Sequence, residues 1–177
     1  MRKKNSALWL ILCVVWMMMI FMFSRQDGTT SHGLSESVSR FIGGIMHPGF
    51  GSWPVSQQLQ WQESFDTLLR KLAHFAEYML LGILAYLSIN GIWNAKKRRK
   101  NMSQVMRGLV TFYPCVMIGA ADEMIQIFSE NRGASVADIV LDCIGALAGI
   151  LLMMHYRTKK VGGMPATGQT VVRHRKG

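Results

Sequence analysis

The sequence is short of acid and shorter still of cysteine. Of 177 residues, ten are Asp or Glu against twenty Lys or Arg, and three are Cys. Cys13, Cys115 and Cys143 all lie within apolar runs, and their odd number excludes a fully paired disulfide framework. They are expected as buried free thiols rather than zinc ligands. The net charge of +10 raises nucleic acid as a partner, but the aromatic–basic interleaving of a nucleic-acid-binding domain is missing. No recognised metal-ligand spacing or nucleophile motif is present, so the pattern assigns no metal site and names no cofactor.

What the chain has is apolar length. Half of its residues are hydrophobic, and they gather into four runs near residues 7–23, 72–93, 105–128 and 135–156. Each meets the roughly 20 apolar residues (about 17–25) that a helix needs to cross a bilayer. The expected fold is all-α: a polytopic membrane protein with four transmembrane helices, in one domain spanning 1–160. Residues 161–177 read as a disordered basic tail. The first run follows Arg2, Lys3 and Lys4, as a signal peptide would. It exceeds the usual apolar region of about 7–15 residues and ends in Phe-Ser-Arg-Gln, with no small-x-small cleavage site, so it is read as an uncleaved anchor.

Orientation follows from where the bases fall. With the N-terminus in the cytoplasm, the same side holds Arg2, Lys3, Lys4, the Lys96–Lys100 run, Arg157, Lys159, Lys160, Arg173, Arg175 and Lys176, and no acid. The opposite side holds only Arg25, Arg40, Arg70, Lys71 and Arg132. The positive-inside rule therefore expects both termini to be cytoplasmic, and the flanking bases to meet anionic membrane lipids.

The outer segment, 24–71, is patterned. Leu34, Val38, Phe41, Ile42 and Ile45 recur at helical spacing, HPGFGSWP (47–54) breaks the chain, and Leu59, Phe65, Leu68, Leu69 and Leu72 suggest a helix leading into the second span. Trp53 and Trp61 suit a membrane interface. Short outer interfacial helices are expected, since so short a segment buries little core of its own.

The acids then stand out by position. Every one lies outside the membrane or in the outer half of a span. Glu77, Asp122 and Asp142 each sit about 9–10 Å in from the outer end of their run, at 1.5 Å per residue. Within each run the polar residues share a stripe: Arg70, His74, Glu77 and Tyr78; Asp122, Glu123 and Gln126; Ser135, Asp138 and Asp142. Lipid facing is excluded, because a charge near the bilayer centre costs upward of about 2.5–3.5 kcal/mol. The stripes are expected to face one another or a wet pocket open to the outside. Ser135 with Asp138 also reads as a capping box, and the whole cluster as structural ion pairing. Asp122 and Glu123 lie near a helix C-terminus, where the dipole opposes them. Their expected compensation is Arg132, His74, Arg70, Lys71, a bound cation or an altered protonation state. In the fourth span Gly145 and Gly149 form GxxxG, a signal for close helix packing.

RKLAHFAEYMLLG (Arg70–Gly82), DEMIQIF (Asp122–Phe128) and NRGASVADIVLDCIGALAG (Asn131–Gly149), with FSRQ after the first span, together resemble the VanZ-like membrane-protein family from about Ala7 to Met154. That pattern matches Lys71, His74, Phe75, Glu77 and Tyr78, then Asp122, Glu123 and Gln126, then Arg132 and Asp138. Position 142 departs from it: the family commonly has Asn there, and this chain has Asp142. The resemblance implies a bacterial cytoplasmic-membrane protein of the cell envelope, in a family associated with resistance to lipoglycopeptide antibiotics such as teicoplanin.

Stripes and resemblance together define the expected ligand-binding set: Arg70, Lys71, His74, Glu77, Tyr78, Asp122, Glu123, Gln126, Arg132, Ser135, Asp138 and Asp142. The leading function is binding of a lipid-linked or lipophilic ligand at the outer leaflet, with Arg70, Lys71 and Arg132 on phosphate or carboxylate. The alternative is a membrane-embedded metal- or carboxylate-dependent enzyme acting on a lipid head group, with His74, Glu77, Asp122 and Glu123 as catalytic candidates. A transporter ranks lower, because the inner halves of the spans carry no charge for a continuous pathway.

Overall fold

A computed structural model describes residues 2–24, 28–95, 102–127 and 136–162, with side chains over 6–24, 37–93, 102–126 and 136–159. Five helices account for nearly all of them: α1 (Arg2–Ser24), α2 (Gly28–Met46), α3 (Val55–Ala95), α4 (Gln104–Ile127) and α5 (Val136–Gly162). One 3-10 turn, Phe50–Ser52, joins α2 to α3. Among the described residues there is no strand. Helices α1, α3, α4 and α5 are each long and apolar enough to cross a membrane. The expectations for Arg132, Ser135, the Lys96–Lys100 run and the tail from residue 163 lie outside the described residues.

Local chemistry sets the helix ends. Gly49 takes a left-handed conformation (φ 89°) that an L side chain rarely adopts, and this reverses the chain after α2. The Pro54 carbonyl then accepts the N–H groups of Gln57 and Gln58 to open α3. Between Val55 and Leu81 there is neither Gly nor Pro, so the helix expected to lead into the second span is continuous with it. At 41 residues, α3 is about 62 Å long at 1.5 Å per residue, twice the roughly 30 Å of hydrocarbon. Part of it therefore stands clear of the apolar layer. Ser103 caps α4, accepting the Met106 N–H on its hydroxyl at 3.2 Å. Pro114 lies inside α4 without ending it.

α3 is the central helix, packed most extensively on α5 and next on α1. α3 and α5 run parallel, and glycine sets their register. A β-carbon at Gly145 would overlap the Phe75 carbonyl, one at Gly149 the Met79 carbonyl, and one at Gly82 the Ala146 carbonyl. Backbone thus meets backbone along two turns, the close approach that small-xxx-small sequences permit. α1 is antiparallel to α3, with Ser6 against Gly91 and Trp16 Nε1 donating to the Glu77 carbonyl at 3.0 Å. α4 is antiparallel to α5, with Gly108 against Met154 and Gly119 against Asp142. Ile20, Tyr78, Leu81, Ala85, Cys115 and Ala146 form the core where the four helices meet. All three cysteines are free; Cys115 is buried, while Cys13 and Cys143 are half-buried.

The distribution of polarity is inverted relative to a protein folded in water. Leu8, Ile11, Val15, Met18 and Met22 of α1 are exposed, as are Leu109, Tyr113 and Met117 of α4 and Val140, Ile144, Leu147 and Leu151 of α5. Buried instead are His74, Asp122, Glu123, Gln126, Asp138 and Asp142. An apolar surface this continuous is stable only against lipid. The protein is a multi-pass membrane protein.

Beyond the spans, α2 folds back on the start of α3. Trp61 Nε1 donates to the Ser39 carbonyl at 3.2 Å, and Gly43 leaves room for the Phe50 and Trp61 rings. His47 meets Trp61 edge-on at 4.8 Å between centroids, and Trp61 stacks on Phe65 at 6.2 Å. Phe41, Ile45, Val55 and Leu59 of this hairpin are exposed.

Candidate functional site

The polar stripes converge at one end of the bundle, where the N-terminal halves of α3 and α5 meet the C-terminal ends of α1 and α4. The glycine register places His74 of α3, the residue before Phe75, near Asp142 of α5, about one turn before Gly145. His74 Nδ1 and Asp142 Oδ1 are 3.2 Å apart, with the imidazole N–H donating to the carboxylate. His74 is 7 % exposed and Asp142 1 %. A buried ion pair is costly to desolvate and costlier to break, since the surviving charge is left uncompensated.

Asp122 of α4 forms the second half of the site. Its carboxylate accepts the hydroxyl of Ser24, the last residue of α1. It also accepts Gln126 Nε2 at 3.2 Å, one turn along α4. The same Gln126 amide donates to the Ser24 oxygen at 3.3 Å, closing a three-membered network. Neutral donors thus meet a carboxylate that the helix dipole disfavours, and hydrogen bonds to a charged acceptor are the stronger kind. The two halves adjoin: ligand atoms of His74, Asp122 and Asp142 all lie within 4.8 Å of one another.

Tyr78, one turn below His74, is fully buried. Its ring edge and Asp142 Oδ2 meet over Gly119, where a β-carbon would sit 3.5 Å from the ring and 3.7 Å from the oxygen. Glycine at 119 leaves that space open between α4 and its neighbours. Asp138 is buried in the first turn of α5, where a negative charge suits the dipole. Glu123 is buried and Glu77 half-buried.

Of the expected site residues, the fold brings His74, Asp122, Gln126 and Asp142 into direct contact and sets Tyr78 beside them. Arg70 and Lys71 are exposed on the turn above His74. Their expected role as compensating charges for Asp122 and Glu123 has no ion pair to carry it among the described residues. Ser24 joined the site without being singled out from the sequence. Its one signal was a polar residue closing an otherwise apolar run, in the FSRQ stretch. Gly119 was missed as well, because a glycine inside an apolar run carries no chemistry of its own.

The arrangement supports two kinds of chemistry. A buried imidazole held by a carboxylate is a general acid–base pair, and an imidazole with two carboxylates is a donor set for a divalent cation. Asp142 is central to both, and it stands where the resembling pattern has Asn. An Asn would keep an acceptor for His74 but remove the negative charge.

A family model described as VanZ/LLP1 matches residues 9–157, which is most of the chain. No curated protein and no solved structure matches it.

Proposed function

The chain belongs to the VanZ/LLP1 family, and from that premise we propose that it is a bacterial cell-envelope protein binding a lipid-linked or lipophilic ligand from the outer face of the cytoplasmic membrane. The observation that carries this reading is the convergence of His74, Asp122 and Asp142 from three helices at the end of the bundle that bears the amphipathic hairpin. The charge asymmetry of the loops puts both termini in the cytoplasm and this end outside. Exposed Phe41, Ile45, Val55 and Leu59 supply an apolar surface for an acyl chain. Arg70 and Lys71, exposed above His74, suit an anionic head group. The buried acids and Tyr78 below them suit its hydroxyl or amino groups. Altered response to lipoglycopeptides such as teicoplanin follows, in this reading, from capture of such a ligand at the outer leaflet.

Two measurements test it. Mass spectrometry of lipids co-purifying with the wild-type protein should show an enriched species that Arg70→Ala and Arg132→Ala lose. Lipoglycopeptide susceptibility should differ between cells expressing wild type and cells expressing His74→Ala or Asp122→Asn at matched levels. A phenotype unchanged by both substitutions, with no enriched lipid, would reject the reading.

A further inference from the structure

We propose that His74, Asp122 and Asp142 form a binding site for one divalent transition-metal ion, zinc or manganese, within the membrane-embedded part of the bundle. Three helices contribute one donor each, His74 Nδ1 and a carboxylate oxygen from each Asp, all within 4.8 Å of one another. All three residues are more than nine-tenths buried. Bonds of about 2.0–2.2 Å to nitrogen and oxygen place donors on a common ion roughly 3–4 Å apart. The His74–Asp142 pair, at 3.2 Å, already meets that spacing. A side-chain shift of at most about 1–2 Å brings in Asp122.

A second feature, the Tyr78 hydroxyl beside the donor set, points to a ligand at the same place. The Tyr78 hydroxyl and Asp142 Oδ2 are both buried with no hydrogen-bond partner among the described residues. Tyr78 is fully buried and Asp142 1 % exposed. Native interiors rarely leave such atoms unsatisfied, and an unmatched pair beside a donor set is what an ion or its water would satisfy.

Charge balance agrees. Two carboxylates and a neutral imidazole sum to −2, which a divalent ion neutralises where no solvent can. Binding displaces the proton that His74 Nδ1 otherwise shares with Asp142. One nitrogen and two oxygens without sulfur select zinc or manganese over soft ions, and calcium would want more oxygens. Three protein donors leave positions open for water or an incoming oxygen.

The test uses the full-length protein in detergent, stripped with EDTA and dialysed against zinc or manganese chloride. Metal per chain is read by mass spectrometry. The expected result is one ion per wild-type chain, with a melting temperature raised by the metal. In Asp142→Asn and His74→Gln the ion is lost and the metal no longer shifts melting. Tyr78→Phe should weaken binding by roughly 10–100-fold, the usual effect of removing a group that supports a ligand. Glu63→Gln, exposed on α3, should bind as wild type does. Manganese EPR should show nitrogen coupling in wild type that disappears in His74→Gln. Should Asp142→Asn fail to fold, Asp122→Asn and Tyr78→Phe decide the matter: weaker binding supports the site and unchanged binding overturns it. A wild-type chain that takes up no ion also overturns it. The site stands independently of the lipid-ligand reading, because the dialysis contains no lipid ligand.

Discussion

The bundle buries polar side chains at both ends, and the two ends satisfy them differently. Toward the C-terminal half of α3, Ser88 donates to the Leu84 carbonyl at 2.7 Å, Asn90 to the Tyr86 carbonyl at 2.7 Å and, on α4, Thr111 to the Arg107 carbonyl at 2.8 Å. Each bond returns to the donor's own helix four residues back. These side chains are neutral and their hydroxyl or amide donors bond their own helix, although Asn90 Oδ1 has no partner among the described residues. At the opposite end the partners come from different helices: His74 with Asp142, and Ser24 with Asp122. His74, Asp122 and Asp142 are ionisable, and apart from the Gln126 amide one turn along α4 their hydrogen-bond partners among the described residues lie on other helices. A polar residue that bonds its own backbone is the inexpensive way to place polarity in a membrane helix. A charged one that depends on another helix costs far more, and that cost supports placing the proposed site at this end.

The largest effect should come from His74→Ala, which strands Asp142 and should cost about 3–5 kcal/mol of folding stability. Chemical denaturation in detergent measures it, and a loss no larger than that of Ser88→Ala would erase the distinction between the ends. Next is Gly149→Val, which drives α3 and α5 apart; overpacking of this kind costs about 1–3 kcal/mol or more. It should lower the melting temperature and also weaken metal uptake, because the seam that it opens sets the His74–Asp142 register.

Double-mutant cycles read the coupling within each end. His74→Ala with Asp142→Asn should show a coupling of about 0.5–3 kcal/mol, whereas Ser88→Ala with Thr111→Ala should add within about 0.5 kcal/mol. Singly, Ser88→Ala and Thr111→Ala should each cost around 0.6 kcal/mol, the average for polar contacts inside a membrane bundle. Smallest of all, Arg70→Ala should leave stability within about ±0.5 kcal/mol while reducing retention on anionic vesicles.

Much of this was legible in the sequence, for reasons that differ by element. Four apolar runs had to become spanning helices, because no other arrangement satisfies their backbone in lipid. Gly145 and Gly149 announced a close crossing, but their partner could not be read, since a motif on one helix does not say which neighbour fills it. The stripes carrying His74, Asp122 and Asp142 were visible as helical spacing. Ser24 was not, because a hydroxyl at the end of an apolar run looks like any boundary residue until Asp122 is placed beside it. Arg70 illustrates the reverse case: it shares the His74 stripe, yet one turn higher on α3 it is exposed rather than part of the cluster.

The solvent, the number of spans and the faces that had to avoid lipid follow from one-dimensional patterns of apolar and charged residues. Which side chains meet depends on how the helices pack. The parallel seam of α3 and α5 sets His74 against Asp142, α1 ends where its Ser24 reaches Asp122, and Gly119 leaves the gap beside Tyr78. Such pairings depend on helix register to within a fraction of a turn, and register is fixed by packing of backbones that are remote in the chain.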